Sequence, residues 1–183
     1  DTAWEITEKA MGYTNHTLLP EALERWSVKL LEKVCPRHLA IIYDINDHLM
    51  KKVAAKYPGD NGKLSRMSII EEGDTKKVRM GNLAIVGSHS INGVAAIHSE
   101  LVKKNLAPDF YEMWPERFNN KTNGIMPRRW LLSANPELAD LISSKIGREW
   151  ITHLDQLVKI APYATDSDFV RSFFRIKKDN KEK

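Results

Sequence analysis

The sequence has a single cysteine, Cys35, in 183 residues. That excludes an internal disulfide framework and points to a reducing compartment, or to one where redox state is immaterial. Long apolar runs are missing too. The longest are a few residues, as in Leu83–Val86, against the ~20 that a membrane-spanning helix needs. No membrane partner is expected. Charge of one sign is not in marked excess: Lys and Arg number 28 against 24 Asp and Glu, a net +4. The densest basic stretch, Arg175–Lys183, is interrupted by Asp179 and Glu182. It reads as a frayed, solvated end, so no nucleic-acid partner is expected. The chain opens on Asp1 with no charged region leading into an apolar one. No signal peptide is expected, and the start suggests a cut from something longer.

What is present is enough for a core. Apolar residues make up 42% and charged ones 28%, which excludes intrinsic disorder. The length suits one domain or pieces of two.

Helical periodicity dominates the pattern. Leu19, Ala22, Leu23, Trp26, Leu30 and Val34 recur at three and four, which predicts a helix capped by Thr17 and ended by Pro36. Leu39, Ile42, Ile45, Leu49 and Val53 predict a second helix, stopped by Pro58-Gly59-Asp60. The Cys35-Pro36-Arg37 junction between them must be a kink or tight turn. A short helix is expected near Leu64–Met67. Residues 78–86 read as a strand ending in a buried run. Ile91, Val94, Ala95, His98, Leu101 and Val102 then read as a helix, so residues 83–104 suggest a βα unit. Residues 105–126 are irregular and gather turn formers, which makes them the best boundary. Beyond it, helices are expected from Asn135-Pro136 to Gly147, over Trp150–Val158 towards Pro162, and from an Asp166 cap through Phe169 and Ile176.

Familiar catalytic patterns are scarce. His16, His38, His48, His89, His98 and His153 are scattered, and none pairs at i, i+4 across a carboxylate, so no metal site is expected. Ser88-His89-Ser90 has no Gly-x-Ser-x-Gly elbow. Glu71-Glu72 reads as a solvated loop face. Gly87-Ser-His-Ser-Ile-Asn-Gly93 lacks both the dinucleotide and the Walker spacing. Between a strand and a helix it is either a plain tight turn or a loop aiming N–H groups at a polar ligand.

Two segments are more polar than packing requires. Tyr13-Thr14-Asn15-His16-Thr17 precedes an apolar stretch, and Asn119–Asn123 precedes Pro127-Arg128-Arg129-Trp130. His and Asn offer donors and acceptors without net charge, which suits sugar hydroxyls. Trp130 can stack on a planar ligand. An elaborate helix cap and an Asn-rich turn are the plainer readings of these two segments.

Together these segments resemble the α-glucan phosphorylases, a family that includes glycogen, starch and maltodextrin phosphorylases. The likeness rests on Tyr13–Thr17 with Leu19-Pro20-Glu21-Ala22-Leu23-Glu24-Arg25-Trp26. It rests equally on Gly87-Ser88-His89 with Asn92-Gly93-Val94-Ala95 and Ile97-His98-Ser99-Glu100. The third block is Asn120-Lys121-Thr122-Asn123-Gly124-Ile125 followed by Pro127-Arg128-Arg129-Trp130. One departure is Met126, where the family usually has Thr.

The resemblance implies an α/β, helix-rich fold that is part of a two-lobed, Rossmann-like glycosyltransferase of the GT-B type. Residues 1–123 would close the first lobe and residues 124–183 would open the second. It implies phosphorolysis of α-1,4-glucan by inorganic phosphate to give glucose 1-phosphate. The cofactor it implies is pyridoxal phosphate, whose phosphate exchanges a proton with the substrate phosphate and whose Schiff-base lysine lies outside this span. The span alone is therefore expected to be inactive. By position, His16, Asn123 and Val94 match glucosyl contacts, Thr17 and Ala22 match the pocket wall, and Trp130 matches a tryptophan near the pyridoxal ring. The full-length protein would be a homodimer in the cytoplasm or plastid. The competing reading is a helical binding or structural module without catalysis.

Overall fold

The computed structural model describes residues 2–183. These fall into two compact units, one ending at Asn123 and the other spanning Gly124–Lys183. Each is described on its own. The chain is helix-rich with a parallel sheet, an α/β fold. Among the described residues no helix is long and apolar enough to cross a membrane.

The first unit opens with helix α1 (Thr2–Ala10) and strand β1 (Gly12–Thr14). The helix expected over residues 19–34 is not continuous. A 3-10 turn (Pro20–Ala22) is followed by strand β2 (Arg25–Ser27), and only Val28–Val34 is helical, as α2. The apolar spacing at three and four is real, but pairing with a distant strand captures residues 25–27. Cys35 alone separates α2 from α3 (Pro36–Lys56), with its backbone outside the helical region. This is the tight junction expected there. Pro36 sits at the start of α3, where its missing N–H has no cost. The long helix turns Leu39, Leu49 and Val53 into the core. Helix α4 (Asn61–Met67) follows, capped by the Asp60 side chain on Lys63 N.

Strands β3 (Ile70–Glu71) and β4 (Lys77–Arg79) pair antiparallel, and β4 also pairs antiparallel with β2, giving the order β2-β4-β3. The strand expected over residues 78–86 stops after Arg79. Met80–Val86 is helix α5, with Ile85 and Val86 buried. The run Leu83–Val86 is apolar because it is a buried helical turn, and periodicity cannot separate the two in so short a stretch. The order of the next segment changes accordingly. Ser90–Gly93 is strand β5 and the helix begins only at Ala96, as α6 (Ala96–Leu101). Gly87 therefore ends a helix, and the Gly87–Gly93 segment leads into a strand rather than out of one.

A wide π-type turn closes α6, with Ala107 N donating to Val102 O at 2.9 Å. Residues 105–126 hold more structure than expected: helix α7 (Pro108–Met113), a 3-10 turn (Pro115–Arg117) and strand β6 (Phe118–Asn120). The β1, β5 and β6 strands form a parallel sheet in the order β1-β5-β6. Its central residue Ile91 is fully buried, opposite Tyr13 and Phe118. The core continues through Met67, Ile69, Val78 and Val102.

The second unit packs helix α8 (Pro136–Ile146) around Ala139, Ile142 and Trp150. Asn135 caps it by accepting from Leu138 N, and Gly147 leaves it with φ +77°. Such a conformation favours glycine. Trp150–Val158 is not an α-helix; 3-10 turns cover Glu149–Ile151 and Leu154–Thr165, and they run past Pro162. Helix α9 (Ser167–Glu182) starts at the Asp166 cap and holds its helix to Glu182, so the basic end is solvated but helical.

Candidate functional site at the carboxyl edge of the parallel sheet

All three strands of the parallel sheet point the same way, so their carboxyl ends share one edge. In open α/β sheets ligands bind outside that edge. Here β1 leads into Asn15, His16 and Thr17. Strand β5 leads into Val94, and β6 leads through Lys121 and Thr122 to Asn123. Four of the expected sugar-contact positions, His16, Thr17, Val94 and Asn123, thus follow the ends of three neighbouring strands. Ala22 ends the 3-10 turn after Thr17 and is exposed. Trp130 belongs to the second unit, on a π-type turn (Arg128–Ser133).

Backbone bonds hold the three strand ends beyond the ladder itself. Asn15 N donates to Asn92 O at 2.9 Å, Lys121 N to Gly93 O at 3.1 Å and Asn123 N to Val94 O at 3.0 Å. The last bond joins two of the expected contact residues directly. Side chains add a second set. Thr14 Oγ1 donates to Asn92 Oδ1 at 2.8 Å, and Asn92 Nδ2 donates to Gly93 O at 2.9 Å. Asn120 Nδ2 donates to Thr122 Oγ1 at 2.9 Å. Thr17 Oγ1 accepts from Leu19 N at 3.1 Å, so it shapes the chain after His16 rather than capping a long helix.

His16 and Asn123 are both exposed, and Asn15 between β1 and His16 is buried. Asn15 Nδ2 donates to Tyr13 Oη at 3.1 Å. Its Oδ1 is buried without a partner among the described residues. Groups of this kind usually meet a water or a ligand hydroxyl.

Charge is sorted along the sheet. The amino ends of the strands are held by Arg117, which pairs with Glu8 at 2.5 Å and donates to Ser88 O at 3.1 Å. It also lies over the Trp114 ring at 4.2 Å. The carboxyl edge instead carries imidazole, carboxamide and hydroxyl groups, with Lys121 donating to Asn119 Oδ1 at 2.5 Å. The nearby acid, Glu100, is held below the usual carboxylate range by its hydrogen bond to Lys103, 2.8 Å away. Apart from the exposed Lys121, the groups on this edge are neutral, and neutral groups bind a neutral polyol without the cost of burying an unpaired charge.

A carbohydrate phosphorylase family model matches residues 1–183. The chain belongs to the carbohydrate phosphorylases. It is 57% identical to the brain form of glycogen phosphorylase from Homo sapiens and 55% identical to the muscle form from Oryctolagus cuniculus. Both matches cover 100% of this chain and 22% of the relative, so the chain spans about a fifth of these phosphorylases.

Two residues of this phosphorylase segment have no role in the sequence reading, although they lie inside its second block. His98 and Ser99, on α6, both reach the carboxyl edge: His98 Nε2 to Asn15 O at 3.0 Å, and Ser99 Oγ to Asn120 Oδ1 at 2.7 Å. The available signal was two polar residues on a short helix five and six places after a glycine.

Proposed function

We propose that the chain is the part of an α-1,4-glucan phosphorylase that holds the terminal glucosyl unit while inorganic phosphate displaces the rest of the glucan, releasing glucose 1-phosphate. The observation that carries this reading is the polar carboxyl edge, where His16, Val94 and Asn123 follow the ends of three parallel strands. His16 and Asn123 supply hydrogen bonds to sugar hydroxyls, Val94 lines the pocket with its backbone, and Thr17 and Ala22 form its wall. Several such contacts orient the anomeric carbon for attack, an effect worth several kcal/mol at best.

The whole protein is read as a two-lobed enzyme of the GT-B type, a homodimer of the cytoplasm or plastid. Residues 1–123 end its first lobe and residues 124–183 begin its second. Pyridoxal phosphate is its cofactor, and its phosphate supplies proton exchange with the substrate phosphate. The described residues fit one part of that group. Trp130 is 62% exposed, and its indole face suits a planar ring. The buried lysine of this chain, Lys63, is already tied to Glu112 at 2.7 Å.

The test is kinetic. In the full-length enzyme, His16→Ala is expected to lower kcat/KM for oligosaccharide and phosphate by an amount worth about 1–3 kcal/mol. Unchanged kinetics would remove His16 from the site.

A further inference from the structure

We propose that His98 and Ser99 are positioning residues that clamp the two polar arms of the sugar site to one helix. The proposal rests on the glucosyl-binding reading of His16 and Asn123. One arm is the turn after β1. Its Asn15 carbonyl oxygen is acceptor only, so His98 Nε2 carries the proton and donates to it at 3.0 Å. The residue anchored in this way is the immediate neighbour of His16. The other arm is the end of β6. Ser99 Oγ donates to Asn120 Oδ1 at 2.7 Å, and the same carboxamide donates to Thr122, the neighbour of Asn123.

Both anchors therefore come from adjacent residues of α6, which follows the third arm, β5 and Val94, after a single intervening residue. The helix sits so close to the end of β5 that Gly93 has no room for a side chain. A Cβ there would lie 2.5 Å from Ser99 Oγ and 2.8 Å from both His98 Cδ2 and Ser99 Cα. Ser99 is buried at 3% exposure, so the donor side of its bond to the exposed Asn120 is fixed within the fold. Together with the backbone bonds from Asn15 to Asn92 and from Asn123 to Val94, the clamp gives the three arms one fixed spacing. That spacing is what a rigid hexose would read.

The experiment uses the full-length phosphorylase and glucose as the probe. His98→Leu removes the donor, and His98→Gln returns an N–H at similar reach. Ser99→Ala tests the second arm. Amide hydrogen exchange at residues 15–17 is expected to speed up in His98→Leu and to recover in His98→Gln. Glucose affinity, read by calorimetry, is expected to fall about fivefold to tenfold in His98→Leu. It should fall no further when His16→Ala is added, because both changes remove one coupled contact. A merely structural role would give additive losses and no rescue. Exchange at residues 15–17 that is unchanged in His98→Leu would overturn the clamp. Faster exchange with a glucose affinity unaffected by His16→Ala would instead overturn the sugar assignment, and with it the positioning role, leaving the tie as architecture.

Discussion

At Gly93 a single added carbon meets backbone as well as side chain, since Ser99 Cα would be 2.8 Å away. Backbone cannot rotate aside, so Gly93→Ala should destabilise the first unit by about 1–3 kcal/mol, as overpacking usually does. Thermal unfolding of the variant checks this. Asp166 makes a different residue-level prediction. Its carboxyl lies below the usual range because the Phe169 and Asp168 N–H groups donate to it, with Lys145 adding to the effect. A carboxyl lowered in the folded state adds stability above its unfolded pKa and loses it as pH falls through the folded value. The contribution should therefore be complete at neutral pH and fade below about pH 4. Asp166→Asn keeps an acceptor for the cap but removes the titration. The melting temperatures of wild type and variant should differ less in acid than at neutral pH.

At the scale of elements, stability in the first unit turns on Arg79. Its Nη1 donates to the Ser65 and Ser68 carbonyls at 2.8 and 3.2 Å, at the end of α4, and its Nε pairs with Glu71 at 3.2 Å. Arg79→Met should remove the side-chain donor to Ser65 O and leave Ser68 O to Asn82 and Glu71 to Arg25, at a cost of about 1 kcal/mol measurable by denaturant unfolding. What could be read from the sequence follows the same logic of range. Helices α3, α8 and α9 announce themselves through local signals: Pro36, the Asn135 cap with Gly147, and the Asp166 cap. Strand β2 does not, because its partner is β4, some fifty residues on, and three residues are too few to show a period of two. Leu83–Val86 misleads for a related reason, since a buried helical turn and a buried strand share the same apolar run. The candidate site was legible as blocks of polar residues and through their likeness to a family. That those blocks end three parallel strands, and that His98 and Ser99 tie them together, depends on tertiary approach across Gly93.

At the scale of the whole molecule, several large apolar side chains lie open. Val34, Ile97 and Ile125 in order of sequence are 65%, 75% and 60% exposed, and Val158 and Phe174 are 75% and 62% exposed. Covering each of them with further chain would remove apolar surface from water. Produced alone, this span should bind a hydrophobic dye and form large aggregates, while the full-length phosphorylase should bind little dye and stop at a dimer; light scattering with dye fluorescence checks both. The central claim, however, concerns the carboxyl edge of one small sheet. A crystal structure of the full-length enzyme soaked with glucose tests it most directly. The account predicts a sugar ring whose hydroxyls lie within hydrogen-bond distance of the His16 imidazole and the Asn123 carboxamide, against the Val94 backbone. A glucose bound elsewhere, with both side chains turned away from it, would contradict the account.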